Sequence, residues 1–145
     1  MISIIGAGRV GSSIAFLCVS SGLDDVVLID RTKDDAIGES LDLANAIPST
    51  SKFSIDATND FSKISGSDVV VVTASTGIYM QSRTENLTHQ VSMIKDIGAK
   101  IKQYCPNAIV LIISNPLDVL TYFFQKETGF SRFKVIGVAS SLDSS

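Results

Sequence analysis

The sequence predicts an α/β protein built on a doubly wound parallel sheet, and three features predict it. Short apolar, largely β-branched runs alternate with segments of helical periodicity along the chain. Two of the runs, Val69-Val70-Val71-Val72-Thr73 and Ile109-Val110-Leu111-Ile112-Ile113, lack polar alternation, as strands buried on both faces of a parallel sheet do. The first run ends in Gly6-Ala7-Gly8-Arg9-Val10-Gly11, and a helical pattern follows at once. Joined by right-handed crossovers, six such strands form two three-strand halves.

Each element has its own signal. Ile2 to Ile5 is a short buried strand. Arg9 to Ser21 is a helix, with Val10, Ile14, Leu17 and Cys18 on one face and Gly22 ending it. Val26 to Ile29 is the second strand. Lys33 to Ala46 fits a helix with Ile37, Leu41 and Ala44 on one face, stopped by Pro48. Phe53 to Thr58 alternates apolar and polar residues, as a half-exposed third strand does. Phe61 to Ser67 is a turn or short helical piece, and Val69 to Thr73 is the fourth strand. Ala74 to Ser82 is a polar loop. Arg83 to Gln103 is the longest helix, with Leu87, Val91, Ile94, Ile97 and Ile101 in one stripe. Ile109 to Ile113 is the fifth strand and Ser114-Asn115-Pro116 a turn. Leu117 to Glu127 is a helix capped by Gly129, and Val135 to Val138 is the sixth strand.

Composition narrows the class. The 145 residues are 45% hydrophobic and 19% charged, enough for one domain with a sizeable core. Residues 1–145 carry no internal repeat, linker or low-complexity tract. The net charge of −3 comes without a basic block, which argues against nucleic acid or an anionic membrane surface as partner. Cys18 and Cys105 are far apart and fit no metal or redox spacing, so packed thiols in a reducing compartment are expected. No cationic segment with an apolar core precedes the first strand and no run reaches membrane-span length. The expectation is a cytoplasmic protein.

The glycine turn suggests the ligand. Gly6 allows a tight turn out of the strand, Gly8 lets a phosphate approach the backbone, and Gly11 lets the helix pack on the strand. Helix amides and the helix dipole then favour an anion. Asp30 closes the second strand, nineteen positions after Gly11, where a carboxylate accepts hydrogen bonds from ribose hydroxyls. Together these describe a Rossmann-type dinucleotide-binding domain. Asp30 would repel a 2′-phosphate and favours NAD, although Arg31 beside it could neutralise one. Polar clusters follow the next three strands: Thr73-Ala74-Ser75-Thr76-Gly77, Ser114-Asn115-Pro116 and Leu142-Asp143. Arg83 starts the long helix, where a cation opposes the dipole, so a role toward substrate charge is the better reason for it. His89, the only histidine, falls well inside that helix and reads as a surface residue. No acid/base is evident.

These residues together resemble the N-terminal, NAD-binding half of the lactate/malate dehydrogenases. The likeness rests on Ile5 to Gly11, Val27-Leu28-Ile29-Asp30, Gly38-Glu39-Ser40-Leu41-Asp42-Leu43 and Gly66 to Ala74. It continues through Ser82-Arg83, Ser114 to Thr121, Val135-Ile136-Gly137 and Leu142-Asp143-Ser144. The resemblance implies NAD contacts at Gly6, Gly8, Arg9, Val10, Gly11, Asp30, Arg31, Thr73, Ala74, Ser75 and Asn115. It also implies that Arg83 sits on a mobile loop that closes over substrate and polarises its carbonyl. Asn115 would touch substrate and the nicotinamide side, and Asp143 would orient a catalytic histidine.

Several positions depart from the family pattern. Ser75 stands where glycine is usual, and Gln90 where an asparagine is usual seven residues after the loop arginine. The loop Thr76 to Ser82 lacks the second arginine of malate-specific members, and Gln81 is too close to Arg83 to match the lactate determinant. The choice among malate, lactate and another 2-oxo acid stays open. The resemblance places a substrate-carboxylate arginine and the catalytic histidine beyond Ser145, in a second domain. It thus implies a fragment that binds NAD without turnover, from an enzyme that moves hydride between NAD and a 2-hydroxy acid. The family forms dimers and tetramers, so a homo-oligomer is expected of the full-length form. Some apolar surface that a second domain would cover is expected to be exposed. Another Rossmann dehydrogenase is disfavoured by Asn115-Pro116-Leu117-Asp118 and the Arg83 loop. A non-catalytic NAD sensor is the alternative of a different class.

Overall fold

A computed structural model of the chain describes residues 1–6, 9–29, 53–73, 83–113 and 117–138. In order they form β1 (Ile2–Ile5), α1 (Arg9–Ser20), β2 (Val26–Ile29), β3 (Ile55–Thr58) and a 3-10 turn (Phe61–Ile64). There follow β4 (Val69–Val72), α2 (Arg83–Tyr104), β5 (Ile109–Ile112), α3 (Leu117–Thr128) and β6 (Val135–Gly137). The helix expected over Lys33 to Ala46 lies outside the described residues.

The six strands make one parallel sheet in the order β3-β2-β1-β4-β5-β6. β1 is central, with Ile2 level with Val26 on one side and Val69 on the other. The first half of the chain builds outward from β1 in one direction and the second half in the other. The order therefore reverses between β1 and β4, and that is where ligands of such sheets bind.

Side-chain alternation splits the core into two layers. Ile5, Val70, Val72, Val110 and Ile112 face α2 and α3, where Ile94, Ile97, Ile101, Leu120 and Phe124 meet them. Ile4, Val26, Leu28 and Val71 face α1, where Ala15 and Val19 meet them. Each such aliphatic contributes about 1.5–3 kcal/mol when buried. That exceeds the whole span of strand propensity, about 1 kcal/mol, so burial sets the register. Ser3 is the exception in β1. It is fully buried, and its hydroxyl pairs with that of Ser67 just before β4, which satisfies both.

The helix faces differ from the sequence expectation in two places. In α1 the buried stripe is Gly11, Ala15 and Val19, while Leu17 is 59% exposed. Gly11 sits against the sheet, and six residues on from it a side chain points about 120° away. In α2, Leu87 is exposed although it continues the stripe of Ile94 and Ile101. The helix has 22 residues, about 33 Å, against strands of four residues, about 13 Å, so its ends overhang the sheet.

β5 is also less buried than expected. Val110 and Ile112 are fully buried toward α2 and α3, but Ile109 is exposed and Leu111 and Ile113 are half-buried on the other face. Ile136 and Val138 are exposed too. α1 packs on β1 and β2, and no described element covers β5 and β6 on that side. Among the described residues, the helices of the second half, α2 and α3, lie on the opposite face.

The remaining punctuation agrees with the sequence. Gly22 adopts φ +71°, and Leu23 N–H donates to the Cys18 carbonyl, closing the Schellman end of α1. Gly129 N–H donates to the Gln125 carbonyl past α3. Asp60 caps the 3-10 turn by accepting from Ser62 N–H and Oγ. Cys105 is 4% exposed and burial pushes its thiol up to about 11. At pH 7.5 it is therefore expected to escape alkylation by iodoacetamide in the folded chain and to react after unfolding, as read by mass spectrometry. Labelling of Cys105 within minutes under native conditions would contradict this packing.

Candidate cofactor site

The turn between β1 and α1 is held by three elements at once. Gly6 has φ +113°, in the region open to glycine and strained for other residues. Its N–H donates to the Ile29 carbonyl at 2.8 Å, which ties the end of β1 to the end of β2. On the other side Thr73 N–H donates to the Ile5 carbonyl at 2.9 Å. The Thr73 hydroxyl donates to the Gly6 carbonyl at 2.9 Å, with the Ile5 carbonyl at 3.3 Å.

Gly11 completes this lock. It is buried, and a Cβ placed there would overlap the Gly6 carbonyl oxygen and stand 2.9 Å from Thr73 Oγ1. The first turn of α1 is thus pressed onto the backbone of the turn, which a side chain of any size would prevent. The result places the N-terminus of a twelve-residue helix at the carboxyl ends of β1 and β4, the point of strand reversal. The opening amides of a helix have no intrahelical acceptor. The first turn of α1 holds no acidic side chain to occupy them or offset the dipole. Geometry and charge therefore fit a pyrophosphate.

Val10 is half-buried in the first turn of α1. Arg9 and Arg83 open α1 and α2; their side chains lie outside what is described. Gly8, Asp30, Arg31, Ala74, Ser75, Asn115 and Asp143 lie outside the described residues. Ile113 N–H donates to the Val72 carbonyl and Val138 N–H to the Ile112 carbonyl, so β4, β5 and β6 end level. Thr73, Ile113 and Val138, the last described residues before Ser75, Asn115 and Asp143 in the sequence, stand at that carboxyl edge. His89 is exposed on α2, as expected.

Thr73 has a role the sequence did not show. The sequence reads it with the small polar residues of the following loop, but its hydroxyl turns inward and donates to the Gly6 carbonyl of the glycine turn. A hydroxyl residue closing a run of four valines was the available signal.

The pattern defining the lactate/malate dehydrogenase NAD-binding domain matches residues 1–137. This chain belongs to that family. The malate dehydrogenase of Aeropyrum pernix is 41% identical over 99% of the chain, which spans 47% of that protein. The solved structure of the same enzyme superposes with a TM-score of 0.86. A lactate dehydrogenase from Cryptosporidium parvum, solved with lactic acid and nicotinamide adenine dinucleotide, superposes with a TM-score of 0.89 at 39% identity. It covers 98% of this chain, and 45% of that structure is covered. The chain therefore spans about half the length of the relatives it matches, as an NAD-binding half of the lactate/malate dehydrogenase fold does.

Proposed function

We propose that this chain is the cofactor-holding half of an NAD-dependent 2-hydroxy-acid dehydrogenase. The observation that carries the reading is the lock of Gly6, Gly11 and Thr73 at the strand reversal, in a chain whose family likeness runs from residue 1 to 137. In this reading the α1 amides hold the pyrophosphate and Asp30 accepts from the adenosine ribose. The bound nicotinamide supplies a hydride donor or acceptor at its C4. Arg83 polarises the substrate carbonyl when its loop closes, and Asn115 orients substrate beside the nicotinamide. Asp143 orients an acid/base histidine supplied by another part of the enzyme. His89 is exposed on α2 and takes no part. The substrate half packs against the apolar strip of Ile109, Ile136 and Val138, and the complete enzyme is a homo-oligomer.

Two outcomes are expected of the 145-residue chain. NADH fluorescence changes on binding, and steady-state assays with NADH and oxaloacetate or pyruvate show no turnover above background. Turnover near that of a complete dehydrogenase would contradict the division of labour. Failure to bind NADH would contradict the cofactor assignment itself.

A further inference from the structure

The side chain of Thr73 exceeds what the sheet requires at its place. Thr73 follows Val69-Val70-Val71-Val72 at the end of β4, and its N–H donates to the Ile5 carbonyl. Ile113 after β5 and Val138 after β6 stand in equivalent places. They make the equivalent bonds, to the Val72 and Ile112 carbonyls, with apolar side chains. The sheet therefore needs only a backbone N–H at this position. Valine has the β-branched shape of threonine and would continue the run. The hydroxyl is what the strand does not explain.

A reversal in the backbone of Gly6 explains it. In a parallel ladder the N–H and C=O of one residue point to the same neighbouring strand. The Gly6 N–H points to β2, where it meets the Ile29 carbonyl. The Gly6 carbonyl instead lies 2.9 Å from Thr73 Oγ1, on the β4 side. The chain twists between these two groups, where Gly6 has φ +113°. Two successive carbonyls, those of Ile5 and Gly6, thus converge on one hydroxyl, at 3.3 and 2.9 Å. Two acceptors turned toward each other need a donor between them, and a hydroxyl supplies it. A Cβ on Gly11 would come within 2.9 Å of the same oxygen. Oγ1 therefore stands against the first turn of α1 as well as the entry to the glycine turn.

We propose that Thr73 is a positioning residue for the cofactor. Its hydroxyl holds the reversed Gly6 carbonyl, which keeps the glycine turn and the opening of α1 in one shape before a diphosphate arrives. Less binding free energy is then lost to ordering the turn. The hydroxyl acts through the turn and not by contact with the nucleotide. The inference rests on the cofactor reading above and adds the group that presets the site.

Thr73→Val removes the donor at nearly constant shape, and Thr73→Ser keeps it. Both variants and the parent 145-residue chain are titrated with NADH, ADP and adenosine, at a temperature where circular dichroism shows each chain folded. For Thr73→Val the expected Kd is raised about fivefold for NADH and for ADP, which carries a diphosphate, as loss of one hydrogen bond implies. Adenosine, which lacks phosphate, keeps its affinity. Thr73→Ser binds NADH within about twofold of the parent, because its hydroxyl makes the same bond. Unchanged NADH affinity in Thr73→Val, no rescue by Thr73→Ser, or an equal loss for adenosine overturns the inference and leaves the cofactor reading standing. A folded parent chain that binds no NADH overturns both. Should Thr73→Val not fold, Thr73→Ala removes the same donor without setting a methyl against Gly11, and it carries the same comparison.

Discussion

Replacing Gly11 with alanine is expected to destabilise the chain by about 3 kcal/mol or more and to weaken NADH binding by more than tenfold. The added carbon would overlap the Gly6 carbonyl oxygen and crowd Thr73 Oγ1. Neither can move aside as the end of a long side chain would. The Gly6 N–H is tied to Ile29, its carbonyl accepts from Thr73, and Thr73 is tied to Ile5. Relief requires lifting α1 off the sheet, against the burial of Ala15 and Val19. Overpacking a tight site costs about 1–3 kcal/mol even where side chains can adjust, and here the obstacle is backbone. The lifted helix would also carry its amides away from the strand ends. Gly22→Ala is the matched control. No atom lies within 4 Å of a Cβ there, so only its positive φ is penalised, about 1 kcal/mol, with NADH affinity retained. Urea unfolding and NADH titration of both variants check this. A Gly11→Ala chain as stable as the parent would remove the lock from the account.

Phe124→Ala is expected to cost about 3–5 kcal/mol of stability. Phe124 is fully buried, meets Phe130 edge-on with centroids 6.1 Å apart, and lies against Gly98 of α2. It fills the place where the two helices approach closely enough to exclude a Cβ. Its loss leaves a cavity between α2 and α3 that neither backbone can close, because both helices are also seated on β4 and β5 through Ile94, Leu120 and Ile112. A chain of this size has about 7–20 kcal/mol of total stability, so the loss is a large fraction of it. A shift below 1 kcal/mol in urea unfolding would show that the layer repacks freely.

The parts legible in the sequence are those governed by local chemistry. Four consecutive valines in β4 can only be a strand buried on both faces, and the structure buries Val70, Val71 and Val72. Spacing gives Gly6 the tight turn and Gly11 the close helix packing, and the positive φ and the overlapping Cβ give the same roles. The less legible parts depend on what lies across from a residue. Leu17 fits an apolar helical stripe as well as Val19 does, and only the seating of Gly11 decides which faces inward. Ile109 and Ile136 have strand chemistry identical to that of Val110 and Val135, yet one set is exposed because the helices lie on the other face. Ser3 and Ser67 are 64 residues apart, and their pairing follows from sheet register alone. Likewise the bond from the Thr73 hydroxyl to the glycine turn follows from β4 lying beside β1, a pairing that the local sequence does not contain.

On the proposed function, the glycine turn between β1 and α1 holds the pyrophosphate of NAD. Calorimetric titration of the 145-residue chain with NADH and with NADPH tests it most directly. Saturable one-to-one binding of NADH is expected, with NADPH at least tenfold weaker if the carboxylate proposed to hold the ribose repels a 2′-phosphate. Absence of NADH binding by a folded chain, or equal affinities for the two nucleotides, would contradict it.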